Sequence, residues 1–182
     1  RVGDEPSRLR AALCAVARGA DLVVTTGGIS MGARDVVKAV GEVHGWTFET
    51  VAMQPGKPQA HGCVEVGGRR VPVLSLPGNP VSVAVSFTVF GVPLLAAMTG
   101  GRAPRRRRLR AGCAWTCPKG RRQYLPAAEV ADEGGTVVVP VHRLGSGSHL
   151  VASLHAAQVL AVVPAEVDTV REGDVVEVLD LV

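Results

Sequence analysis

The sequence is poor in aromatic residues, with two Trp, one Tyr and three Phe in 182 residues. Its core must therefore be made mostly of Val, Leu and Ala. Cysteine is scarce as well. Cys14, Cys63, Cys113 and Cys117 do not form the spacing of a zinc framework, and the chain is too long for a small disulfide scaffold. Cys113-x3-Cys117 lacks the second pair that a metal site would need, so free thiols in a reducing cytoplasm are expected. The five histidines fall at no ligand spacing. No apolar run is expected to span a membrane, because the best candidate, 81–98, is interrupted by Ser82, Ser86, Thr88 and Pro93. There is no P-loop, no GxGxxG and no nucleophile elbow. No secretory signal opens the chain, and it begins without Met in Arg1-Val2-Gly3-Asp4, as expected for part of a longer protein. The net charge of +4 comes largely from Arg105–Arg108. That run has no interleaved aromatics and reads as a solvated or acid-paired segment, not as a nucleic-acid surface.

What the sequence does contain is organised around Leu76-Pro77-Gly78-Asn79-Pro80-Val81-Ser82. A short apolar run, 71–76, precedes it and reads as a buried strand. A long apolar run, 83–98, follows and reads as a buried helix. The segment between is thus a tight strand-to-helix turn. Gly78 and Asn79 suit unusual backbone angles, Pro80 suits the first helical turn, and Ser82 places a hydroxyl near the helix start. Free N–H groups and the helix dipole at such a start favour an anion.

Two further turns carry polar chemistry. Thr25-Thr26-Gly27-Gly28-Ile29-Ser30-Met31-Gly32-Ala33-Arg34-Asp35 supplies backbone donors, hydroxyls and a carboxylate, and Pro55-Gly56-Lys57-Pro58 supplies an ammonium. Asp4, before Pro6, reads as a helix cap and offers a second carboxylate. Donors suit an oxyanion or phosphate, and carboxylates among phosphates suit Mg²⁺.

Helical patterns are expected from Pro6, with Leu9, Ala12, Leu13 and Val16 on one face, and from Asp35, with Val36, Val37, Val40 and Val43 inward. Strands are expected at 21–26 and 46–53, with a hairpin about Gly67-Gly68. Alternation of this kind predicts an α/β fold, a three-layer sandwich with a mostly parallel sheet, over residues 1–101. Ligands in such sheets bind at the carboxyl ends of the strands, where the turns after Thr26 and Leu76 would lie. Residues 102–108 read as a basic linker. Residues 109–182 show only short β-prone runs, at 110–116, 123–130, 136–141, 149–154, 159–163 and 175–179, as in a small all-β barrel-like domain.

With these motifs in order, the chain resembles the molybdopterin molybdenumtransferases of the MoeA and gephyrin E-domain type. The family's GGxSxGxxD loop is matched at Gly27–Asp35, its PGKP-like turn at Pro55–Pro58, its LPGNPVS turn at Leu76–Ser82 and its C-terminal β domain after Leu109. The resemblance implies insertion of molybdenum from molybdate into adenylylated molybdopterin, with AMP released and Mg²⁺ present. It marks Asp4, Asp35, Pro77 and Pro80 as catalytic, with Asp4 and Asp35 serving the metal. It marks Thr26, Gly27, Gly28, Ser30, Gly32, Lys57, Pro58, Gly78, Asn79, Ser82, Arg121 and Ser148 as pterin- or molybdate-binding. It further implies a cytoplasmic homodimer and a possible adenylyltransferase partner, with neither nucleic acid nor membrane as a partner. The family's GHQxS stands here as Gly145-Ser146-Gly147-Ser148, and its AN pair as Ala157-Gln158. Two other readings share the fold, an adenylyltransferase that makes the substrate and a gephyrin-like scaffold. The first lacks the β tail, and the second would bind peptide in place of pterin.

Overall fold

The computed structural model describes residues 2–3, 5–29, 35–142 and 151–181, with the side chains of 151–153 left aside. The chain divides into two compact units. One comprises Arg1–Val51 and Pro58–Gly78, the other Ala52–Lys57 and Asn79–Val182. The cut falls inside the central turn, between Gly78 and Asn79, and the second unit takes the helix that follows.

In the first unit, α1 (Pro6–Ala17) starts with Glu5 at the N-cap and Pro6 in its first turn. It is followed by β1 (Val23–Thr26), α2 (Val36–Val43), β2 (Thr47–Thr50), β4 (Pro58–Val66) and β5 (Arg69–Leu76). The sheet order is β1-β5-β4-β2. Only β1 and β5 run parallel; β4 is antiparallel to both β5 and β2. The sheet is mixed, against the expectation of a mostly parallel one. The reason is connection length. A parallel crossover needs a dozen or more residues, whereas β4 and β5 are joined by Gly67-Gly68 alone, both with positive φ, and the link from β2 to β4 is also short. α1 and α2 share one core with the sheet face carrying Val23, Ala60, Val64, Val71 and Val73. Both helices of the unit pack on this face. Val16 and Val43 are exposed rather than inward. Ala17 is buried on α1, and Gly41 lies under Trp46 and Phe48 on α2.

The second unit begins with β3 (Met53–Gln54) and continues with α3, a helix running from Pro80 to Thr99. The sequence predicts a kink at Pro93. The structure has a widened π turn over Phe87–Gly91 just before it, in which the Val92 N–H reaches back to the Phe87 carbonyl. Proline donates no N–H and its ring crowds the carbonyl four residues back, and a widened turn makes room for both defects. By length and composition α3, 20 residues long, is apolar enough to cross a membrane, with a mean hydropathy of 2.1 over an 18-residue window. The expected interruptions do not lower it sufficiently. Three of them, Ser82, Ser86 and Thr88, are buried within the protein.

The rest of the unit is β6 (Arg106–Ala111), β7 (Trp115–Thr116), β8 (Arg122–Asp132), β9 (Gly135–Pro140), β10 (Val159–Val163), β11 (Thr169–Val170) and β12 (Val175–Asp180). The pairings β8–β10–β12–β6–β9–β8 close a ring, so the unit carries a small barrel. Its core is Val- and Ala-rich, including Ala111, Leu125, Ala127, Val138, Val159, Ala161 and Val178. A strand was expected at 149–154, but the described part, Val151–Ala156, is a 3-10 helix. Of the expected linker 102–108, residues 106–108 already lie in β6.

The arginine run is acid-paired where it enters the barrel. Arg107 points to the same side as Leu109 and Ala111. Its guanidinium donates to both oxygens of Glu129 on β8 and, at 2.7 Å, to Asp180 on β12. These hydrogen bonds hold the Glu129 carboxyl below its ordinary range. A carboxyl whose folded value is lowered stabilises the fold above its unfolded value and loses that contribution as pH falls through the folded one. Glu129→Gln is therefore expected to cost about 1 kcal/mol at neutral pH. The difference from wild type should shrink through the acid range, as denaturant melts at several pH values would show.

Candidate functional site at the carboxyl edge of β1 and β5

The register Thr26↔Leu76 brings the ends of β1 and β5 level. The ladder continues one step further, since the Gly27 N–H donates to the Leu76 carbonyl at 3.0 Å. Two glycine turns therefore leave the sheet side by side. Gly27 has φ +84°, and a Cβ on Gly78 would lie 3.2 Å from the Gly27 Cα. Gly78 is thus required for close backbone approach and does not adopt the left-handed conformation, which among the described residues is confined to other glycines. Gly28, at φ +72°, packs on α2, where an added Cβ would meet Val37 Cγ2 at 2.7 Å. The Gly28 carbonyl also accepts from the Lys38 N–H at 3.2 Å, fastening the start of α2 to the turn.

Pro58 joins this edge. The β4–β5 register pairs Ala60 with Ser75, and two more steps along each strand put Pro58 level with Pro77. Thr26, Gly27, Gly28, Pro77, Gly78 and Pro58 thus lie along one edge of the sheet. Asp35 occupies the N-cap of α2 with extended backbone angles, and its carbonyl accepts from Ala39. Its carboxylate makes no capping hydrogen bond to the helix. Thr25 and Ser75, which the sequence reading did not single out, join hydroxyls across the parallel pair at 2.8 Å just before both turns. The available signal was a hydroxyl residue one place before the end of each strand.

The helix start after Gly78 differs from the expected anion site. Asn79 is an ordinary N-cap, with φ −74° and ψ 129°, and its side-chain oxygen accepts from the Val81 and Ser82 N–H groups. The Val83 N–H donates to the Asn79 carbonyl at 2.8 Å. Pro80 has no N–H at all, so the donors of the first turn are taken up within the chain. Ser82 is buried and Pro80 exposed. Lys57 is exposed before Pro58, and Arg121 is exposed in the turn that leads into β8. Asp4, Ser30, Gly32 and Ser148 lie outside the described residues.

Among the described residues no group of three or more His, Cys, Asp and Glu gathers to hold a metal. Mg²⁺ does not require one. It commonly takes one or two carboxylates, with water and substrate phosphate completing its octahedron. Asp35, at the start of α2, is a carboxylate of the kind such a donor set takes. The four cysteines are unpaired, and burial raises the Cys117 thiol above its ordinary range.

A probable molybdopterin binding domain matches residues 1–97, and the MoeA C-terminal region, domain IV, matches residues 108–181. Molybdopterin molybdenumtransferase 2 of Mycobacterium tuberculosis is 39% identical over 98% of this chain and 44% of its own length. Molybdopterin molybdenumtransferase 1 of the same organism is 34% identical over 97% of this chain and 42% of its own length. Among solved structures, the molybdopterin biosynthesis MoeA protein of Pyrococcus horikoshii superposes with a TM-score of 0.75 at 30% identity, covering 98% of this chain and 42% of that one. The chain thus spans less than half the length of these relatives. It belongs to the MoeA-type family, in which a molybdopterin-binding domain is followed by the C-terminal region called domain IV.

Proposed function

We propose that this chain is the pterin-handling part of a molybdopterin molybdenumtransferase, which inserts molybdenum from molybdate into adenylylated molybdopterin and releases AMP. The observation that carries the reading is the pair of glycine turns held together at the carboxyl edge of β1 and β5. There, backbone groups lie level with Pro58 and Pro77, and α2, which starts at Asp35, is tied to the Gly28 carbonyl. Such an edge takes a phosphate-bearing ligand without side-chain obstruction. Mg²⁺, when bound, would neutralise charge between Asp35 and the ligand's phosphate oxygens. In this reading the glycine turns orient the pterin, Pro77 and Pro58 stiffen the wall, and Lys57, Ser82 and Arg121 serve molybdate. Asp4, Ser30, Gly32 and Ser148 are assigned by resemblance alone. Asn79 is given a supporting role, since its side chain already caps α3.

The enzyme is proposed to act as a homodimer in the cytoplasm and to receive its substrate from an adenylyltransferase. The match to domain IV favours the insertion reaction over the adenylyltransferase reading, which lacks a β tail. The test uses the full-length protein supplied with adenylylated molybdopterin, molybdate and Mg²⁺. Expected are stoichiometric AMP release and activation of an apo-molybdoenzyme by the product. Pterin binding with no AMP release would overturn the proposed reaction, and no pterin binding would leave the scaffold reading.

A further inference from the structure

We infer that the outer face of the barrel binds a small organic anion with an apolar body. The site is a cavity of about 530 Å³ bounded by β6, β10, β12 and the segment between β10 and β11. This is the size range of ordinary small-molecule sites. The strand registers place Val162, Glu177 and Arg108 in one row across three strands, since Val162 pairs with Glu177 and Glu177 with Arg108. Val162 is buried, Val175 beside the row is 64% exposed, and Pro164, Val167 and Val170 also line the cavity. The floor and walls are thus aliphatic.

The charges at the rim decide the ligand class. Four charged groups line the cavity: Arg108, Arg122, Asp174 and Glu177. Both acids are engaged. Glu177 pairs with Arg106, and Asp174 accepts the Arg171 N–H at 2.8 Å. The side chains of Arg108 and Arg122 have no ion pair or hydrogen bond among the described residues. With Glu177 offset by Arg106, two guanidiniums stand against the one carboxylate of Asp174, so the balance of charge at the cavity is positive. A guanidinium prefers a carboxylate, sulfonate or phosphate, which it can hold through two parallel N–H bonds. A neutral ligand would leave both arginines unused. A dianion without an apolar body would leave the valines wet. All of the lining lies within the second unit, so the inference does not depend on the pterin reading.

The test uses anilinonaphthalene sulfonate as the probe and N-phenylnaphthylamine as its uncharged counterpart, titrated by fluorescence into the full-length protein. Saturable binding of the sulfonate is expected, weakened about tenfold or more in the Arg108→Gln, Arg122→Gln double variant and by high salt. Binding of the neutral compound should change little in that variant. Valine methyl spectra should show shifts at Val162, Val167, Val170 and Val175. Val175→Asp, an exposed change that leaves the core alone, should also weaken the sulfonate by introducing a like charge. Unchanged sulfonate binding in both variants, methyl shifts confined to other valines, or no saturable binding would each overturn the inference.

Discussion

Asp35→Asn is expected to lower molybdenum insertion by the full-length enzyme about a hundredfold or more while leaving the fold intact. The charge and the shape of this side chain can be separated. It stands at the N-cap of α2 yet makes no capping hydrogen bond there. Toward the helix, removing its charge forfeits the interaction with the helix dipole, about 0.3–1 kcal/mol. The amide keeps the shape and remains able to accept a hydrogen bond. A purely structural Asp35 would thus give a variant of nearly wild-type stability and wild-type rate. A metal-serving Asp35 would give the same stability with a collapsed rate and a shifted Mg²⁺ requirement, because a neutral amide is a poor ligand for a hard cation. The measurement is cofactor formation from adenylylated molybdopterin and molybdate across a Mg²⁺ titration, beside a denaturant melt. Wild-type rate and wild-type Mg²⁺ dependence would refute the catalytic role.

Much of this site was legible because it depends on short-range rules. Glycine after a strand and proline at a helix start report their own backbone requirements, and the placement of Gly27, Gly28 and Pro80 follows from them. The hairpin at Gly67-Gly68 was legible for the same reason. What was misread depends on partners that a linear pattern does not name. Gly78 was expected to serve through its φ, but it serves through the space it leaves for Gly27. The helix start was expected to leave donors open and Asn79 to take unusual angles, but Asn79 is an ordinary cap whose side chain turns back and takes those donors. The sheet direction was misjudged although the decisive fact, the short links on either side of β4, was present in the sequence. Residues 149–154 alternate enough to suggest a strand, yet from Val151 to Ala156 the chain forms a 3-10 helix. Alternation over so few residues is weak without a cross-strand partner. The Arg105–Arg108 run shows the same limit. Its charge was plain, but that Arg107 faces Glu129 and Asp180 depends on register between strands distant in sequence.

Gly28→Ala is expected to destabilise the first unit by about 2–4 kcal/mol, and Gly68→Ala by only about 1–2 kcal/mol. The two glycines have nearly the same backbone, with φ of +72° and +76°. The cost of holding an L-residue in that region is common to both. Their surroundings differ. An added Cβ at Gly68 meets nothing within 4 Å, whereas at Gly28 it lies 2.7 Å from Val37 Cγ2 and 3.1 Å from Val37 Cβ. Val37 is buried, and its branched side chain has little rotamer freedom in a helix. The clash must therefore be relieved by moving α2 away from the turn. That movement strains the Lys38 N–H bond to the Gly28 carbonyl and displaces Asp35 at the start of α2. Loss of insertion activity should accompany the loss of stability in Gly28→Ala and be absent in Gly68→Ala, which lies at the far hairpin. Val37→Ala in the Gly28→Ala background removes the clashing methyl groups. It should recover the position of α2, and so part of the activity, although it deletes core volume of its own. Chemical denaturation of the single and double variants, with insertion rates measured beside it, provides the check. Equal losses in the two single variants, or no recovery of activity in the double, would show that the packing of Gly28 on α2 does not set the position of Asp35.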